Sequence, residues 1–273
     1  MKHLPAPLIA VLMLTACTER IELDLGDLAD PKLVVEGWIT DQPMKHRVKL
    51  TMTRSYYANE PAPVVSGAYV RISDGDQTID LQEDPIGSGE YWTPDGTAGE
   101  VGRTYTLTIE SAGETYVASD HMRPVSPIDS LAITYIEDQE EPEPGRKPRY
   151  EVRVWTQELP GVGDHYRWVQ TINGVRNDSL NRAAFVDDVL YDGAYVQGVV
   201  VDVVHVVPGD TVRTEQMSIT GEAYDIITAI LTETDWRGGP FDPPPSNVPS
   251  NVSNGAFGFF GASSVKDRTV VVQ

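Results

Sequence analysis

Short runs of alternating apolar and polar residues, each broken by Gly, Pro, Asn or Asp, recur along this chain and constrain its fold more than any other feature. In His46-Arg47-Val48-Lys49-Leu50-Thr51-Met52-Thr53 a period of two puts Val48, Leu50 and Met52 on one face and charged or hydroxylated residues on the other, the pattern of a half-buried strand. Lys32 to Thr40, Ala68 to Ser73, Gln77 to Leu81, Gly89 to Trp92, Thr104 to Ile109 and Thr115 to Ala118 read the same way. Asp74-Gly75-Asp76 supplies the positive φ of a tight hairpin turn. Seven such runs predict an immunoglobulin-like β-sandwich over residues 30–125.

Pro124-Val125-Ser126-Pro127 then favours extended backbone and removes amide donors, which marks a boundary. The charged, proline-containing stretch 137–145 reads as a loop. Strand patterns return at Tyr150 to Thr156, Tyr166 to Ile172 and Gly198 to Val207. One amphipathic helix is expected from Thr220 to Thr234, with Ala223, Ile226, Ile227, Ile230 and Leu231 along one stripe and Thr220 as its cap. The predicted fold class is therefore mainly β: an N-terminal sandwich followed by a second β-rich domain, residues 126–273, that contains one helix.

The first residues predict an address. Lys2 and His3 precede the apolar run Leu8 to Leu14, the length of a signal-peptide core and well short of the ~20 residues that span a bilayer. Leu14-Thr15-Ala16-Cys17 has the small residues a lipoprotein signal peptidase needs beside a lipidated thiol. The expected product is a signal peptide, residues 1–16, and a palmitate-bearing tether, residues 17–29, attached through Cys17. Cys17 is also the only cysteine, which excludes disulfides and cysteine metal sites. Two or more acyl chains, at about 0.8 kcal/mol per buried CH₂, make such an anchor close to permanent. No Asp follows Cys17 directly, which favours the outer membrane over inner-membrane retention, and the acidic bias at Glu19, Glu22 and Asp24 favours display on the cell surface.

A net charge of −20 repels nucleic acid and anionic lipid, which excludes nucleic-acid binding and leaves the lipid as the only direct membrane attachment. His46, His121, His165 and His205 have no metal-ligand spacing, and no His-Glu-x-x-His, nucleophile elbow or phosphate loop occurs. Asp187, Asp188 and Asp192 could chelate a divalent cation if one loop gathered them, and Asp187 with Asp188 could support acid–base chemistry in a cleft; turn formation is the simpler reading of both. Gly87-Ser88-Gly89 reads as a hairpin tip, and the sequons at Asn177 and Asn251 as coincidence. Trp38, Trp92, Trp155 and Trp168 are either core residues or platforms for a glycan or peptide. No catalytic, cofactor or metal residue is assigned, and the chain is read as a non-enzyme without a cofactor.

The C-terminal run from Gly239 to Ser263, with its Pro243-Pro244-Pro245 and Phe257-Gly258-Phe259-Phe260-Gly261, resembles the Bacteroidota outer-membrane lipoprotein family called domain of unknown function 4249. The lipobox, Leu33 to Thr40 and Pro127-Ile128-Asp129-Ser130-Leu131 are similar to it as well. In the C-terminal run the glycines should let Phe257, Phe259 and Phe260 turn into a core. The resemblance implies an accessory subunit of a TonB-dependent transporter or related outer-membrane complex, whose partner is a barrel protein; a stand-alone glycan- or peptide-binding surface lipoprotein is the alternative.

Overall fold

A computed structural model of the chain describes residues 31–55, 60–137, 145–177, 179, 184–234 and 247–273. Cys17, the whole lipobox, most of the acidic 137–145 stretch and Gly239 to Ser246 lie outside the described residues.

The first eight strands are β1 (Leu33–Thr40), β2 (Arg47–Met52), β3 (Tyr69–Ser73), β4 (Thr78–Asp80), β5 (Gln82–Glu83), β6 (Glu90–Trp92), β7 (Thr104–Ser111) and β8 (Glu114–His121). Their alternation works as the sequence predicts: Val48 and Leu50 of β2 are fully buried while Arg47 faces water. At the first hairpin Gly75 takes φ +94°, and Asp74 Oδ1 accepts from the amides of Asp76 and Gln77 at 3.0 and 2.8 Å, an Asx turn that joins β3 to β4. The remaining elements are β9 (Ile128–Tyr135), β10 (Arg149–Gln157), β11 (His165–Ile172), β12 (Val175–Asn177), β13 (Ala184–Asp187), β14 (Tyr195–His205), β15 (Thr211–Ile219), α1 (Gly221–Thr234), β16 (Phe257–Ser263) and β17 (Val265–Val271). The fold is mainly β with one helix.

Four sheets result. β4-β3-β7-β8 packs on β16-β1-β2-β6-β5, and β14-β10-β9 packs on β12-β11-β15-β17, with β13 also paired to β11. Residues 257–263 run parallel to β1, from Val34 opposite Phe257 to Thr40 opposite Ser263. They insert Phe260 and Ala262 into the core of the N-terminal sandwich beside Val35, Leu50 and Ile109. The close approach depends on Gly258, at φ +101°, where a Cβ would sit 1.9 Å from the carbonyl oxygen of Val35. Only part of the expectation for the three phenylalanines holds. Phe260 and Phe259 are buried, but Phe257, the first residue of β16, keeps 38% of its surface exposed.

At Ser264 the chain passes directly from β16 into β17, so one stretch serves a sheet of each sandwich. The crossing is polar and bonded throughout. Ser264 donates its amide to Ser218 Oγ at 3.0 Å and its hydroxyl to Asp41 at 2.9 Å. Asp120 accepts from the Ala262 amide and the Thr220 hydroxyl, both at 2.8 Å. Burial raises the carboxyl pKa of Asp120 against those hydrogen bonds.

Thr220 caps α1 through the Ala223 amide, at 3.3 Å. The apolar stripe of Ala223, Ile226 and Ile227 packs on Phe259 and Trp38. β11 and β15 therefore lie between two apolar layers. Their even-numbered residues, such as Tyr166, Trp168 and Val212, face the interior of the second sandwich, while Val169, Met217 and Ile219 face Trp38 and the helix.

Candidate functional site

Where β14 and β10 diverge from β11 and β13, the second sandwich encloses a cavity of about 350 Å³. β14 bears on this opening: register shifts interrupt its ladder with β10 between Val152 and Arg153 and between Val154 and Thr156, and bulges of this kind bend a strand away from its neighbours. Val196, Val199 and Val201 supply one wall. Tyr166 and Trp168 from β11 and Tyr191 supply the rings of the other, while Phe185 of β13 turns its ring to Tyr224 of α1, with 5.1 Å between centroids.

The polar rim begins in Glu158-Leu159-Pro160-Gly161-Val162-Gly163-Asp164, the link from β10 to β11. Gly161 and Gly163 have φ +125° and +108°, which aims their amides at the facing turn: Gly163 donates to both oxygens of Asp188 at 3.1 and 2.9 Å, Asp164 to Asp188 at 3.1 Å, and Gly161 to Asp192 at 2.7 Å. Glu158, only 4% exposed, accepts from the Tyr166 hydroxyl at 2.7 Å and from the Gly193 amide. Burial first, and then the bond to Glu158, push the Tyr166 phenol far above its ordinary value, so it stays protonated and keeps donating. Deeper in, Trp168 Nε1 donates to Gln216 Oε1 at 3.0 Å, and Gln216 Nε2 donates to the Ser126 carbonyl at 3.1 Å. That arrangement satisfies a polar pair inside an apolar layer.

Asp187, Asp188 and Asp192 are not gathered on one point. Asp187 shares the face of β13 that turns to Tyr224 of α1, Asp192 holds Gly161, and Asp188 meets Glu158 and Asp164, the three carboxylates Glu158, Asp164 and Asp188 lying within 4.8 Å of one another and all buried. Glu158, Asp164 and Asp188 form the one group of oxygen donors among the described residues with the spacing to hold a hard divalent cation. Asp164 is already paired with Arg123, at 2.6 Å. Sequence reading missed Glu158, Asp164, Tyr166 and Gln216. The available signal was an acidic residue at each end of a Pro-Gly-x-Gly turn between two strands.

The histidines stay apart, each tied locally. The ring of buried His46 bonds the Thr97 carbonyl at 3.0 Å, and burial lowers its pKa. Those of His121, His165 and His205 bond Thr104, the Gly163 carbonyl and the Lys147 carbonyl. Ser88 sits in a turn organised by Glu83, which accepts from the amides of Gly87 and Gly89, both at 3.0 Å. Asn251 exchanges hydrogen bonds with the backbone of Phe260, at 2.8 and 3.0 Å. Of the four tryptophans, Trp168 alone lines the cavity. Trp38 stacks on Phe259 and under Arg167, Trp155 covers Gly198, and Trp92 bonds the Asp84 carbonyl.

The family model described as Domain of unknown function (DUF4249) matches residues 18–269. No curated protein matches the chain.

Proposed function

This chain belongs to the DUF4249 family, and on that premise we propose that it is a non-catalytic binding lipoprotein of the outer membrane, anchored through Cys17 and displayed at the cell surface. In this role it serves as the accessory subunit of a TonB-dependent transporter or related barrel complex and receives a small ligand in the cavity of its second sandwich. The cavity carries the reading. A space of about 350 Å³ walled by aromatic and aliphatic side chains, with a few convergent polar groups at one end, has the make-up of small-molecule sites. The anchor rests on Leu14-Thr15-Ala16-Cys17, and the barrel partner on the resemblance of the C-terminal run to lipoproteins of this kind. Among the described residues no helix is long and apolar enough to cross a membrane.

A stand-alone binding lipoprotein shares the cavity but needs no partner, and one experiment separates the two. Outer membranes solubilised in a mild nonionic detergent should yield this chain together with a barrel protein. Recovery of the chain alone at native abundance removes the accessory role. A melting-temperature screen against peptides, glycans and small metabolites tests the binding role, which fails if none shifts the transition. Cys17→Ala should block lipoprotein processing. A Cys-less body behind a conventional cleavable signal should be exported yet fail to attach to lipid; if it floats with protein-free liposomes as efficiently as the lipidated form does, the anchor assignment is wrong.

A further inference from the structure

Resting on the binding reading above, we propose that the cavity takes an organic cation: an ammonium or similar group carried on an aromatic or branched apolar body. The inference comes from the mismatch between the charge of the cavity wall and its shape. Glu158 and Asp188 line it with carboxylates, and among the described residues no lysine, arginine or histidine does. The nearby cation, Arg123, is engaged by Asp164, which is not part of the wall. Glu158 and Asp188 each accept from the protein, yet a carboxylate has about four acceptor positions, which leaves both able to accept from a ligand. Charge of one sign in a partly enclosed, low-dielectric space repels an anion and attracts a cation.

The remainder of the wall decides which cation. Tyr166, Trp168 and Tyr191 present rings, and the β14 valines close the opposite side. A hard divalent ion has no use for such a surface, because it seeks six to eight oxygens. An ammonium on an apolar body uses both halves. Its charge lies against the carboxylates and the ring faces, where cation–π attraction adds to the Coulomb term, and its body fills the aliphatic part.

Calorimetric titration of the full lipid-anchored chain in a nonionic maltoside tests this with named probes: phenethylammonium, benzyltrimethylammonium, 2-phenylethanol, 3-phenylpropionate and Ca²⁺. Both cations should bind, phenethylammonium at least about tenfold tighter than 2-phenylethanol. Asp188→Asn, whose Oδ1 in the place of Oδ2 still accepts from the Gly163 and Asp164 amides, should weaken phenethylammonium several-fold and leave 2-phenylethanol unchanged, the retained binding of the alcohol showing that the variant folds. Equal or tighter binding of the alcohol or the carboxylate overturns the cation assignment while leaving a binding cavity in place. Binding of Ca²⁺ alone overturns it in favour of a metal site at Glu158, Asp164 and Asp188. No binding by any probe also overturns it, and the melting screen then decides separately whether the cavity binds something of another class.

Discussion

The two sandwiches are built from similar strands and filled differently. In the first, Val35, Ile39, Val48, Leu50, Leu107, Ile109 and Phe260 are completely buried in a continuous apolar core. In the second, Val152, Val154 and Val206 are as deeply buried, but Glu158, Gln170, Asp188, Thr214 and Gln216 are buried beside them. Most of their polar atoms are bonded to a neighbouring side chain or to backbone, Gln170 Nε2 being an exception. Thr214 donates to Gln170 at 2.7 Å, Trp168 to Gln216, and Tyr166 to Glu158. A purely apolar core specifies stability and little else, whereas a bonded polar interior beside a void costs stability and offers a ligand something to recognise.

The sharpest test of this contrast removes the C-terminal contribution to the first core. Phe260→Ala should cost about 3–5 kcal/mol, a large share of the stability of an ordinary domain, as read from denaturant unfolding. A loss under about 1 kcal/mol would mean that β16 adds nothing to that core. Next comes Gln216→Leu, close in volume, which orphans Trp168 Nε1 and should cost roughly 1–3 kcal/mol. Adding Trp168→Phe should return part of that loss, since the two residues form one network; a strictly additive pair would show that the interior network is not a unit.

A smaller effect should separate the halves by pH. The His46 pKa is lowered in the fold by burial, so the unfolded chain binds the proton more readily. The stabilisation is fully present above 6.5 and is lost as pH falls through the folded pKa. Asp210, in the second half, is held at about 2, chiefly by Lys147 and then by Asn173 and the Val207 amide; its contribution is present above about 3.8 and is lost only as pH falls toward 2. Mild acidification from pH 7.5 to 5 should therefore weaken the first sandwich through His46, and His46→Gln should flatten that dependence. An unchanged pH profile in this variant would place the acid sensitivity elsewhere. The smallest change is expected at Arg71, paired with Glu110 at 3.2 Å on an exposed surface: Arg71→Gln should cost less than about 1 kcal/mol, and a larger loss would show that the surface of the first sandwich carries part of its stability.

Local patterns were legible wherever one face of an element meets water. β2 and β3 follow from alternation, the Asp74-Gly75 turn from the need for positive φ, and α1 from its apolar stripe. β15 carried no strand pattern that stood out, because both of its faces are covered, by the second core on one side and by Trp38 and α1 on the other. Strand periodicity then no longer marks an interior and an exterior. The site was less legible than the fold. Asp187 and Asp188 stood out as neighbours in the chain, but the partners of Asp188 are Gly163, Asp164 and Glu158, which a turn with two positive-φ glycines brings in from between two other strands.

By itself, the sequence determined the class of structure and the position of its turns, because side-chain period, φ restriction at proline and φ freedom at glycine act over a few residues. It also carried the N-terminal Leu14-Thr15-Ala16-Cys17 signature and the resemblance to a family, which are properties of residue order. Only the tertiary structure decided that the last strands are shared, β16 completing the first sandwich and β17 the second, and that the valines of β14 face Tyr166 and Trp168 across a cavity with Glu158 and Asp188 at its rim. Both depend on contacts between segments far apart in the chain. No local rule reaches across that separation: Gly258 is one more glycine in a list of 23 until Val35 lies against it.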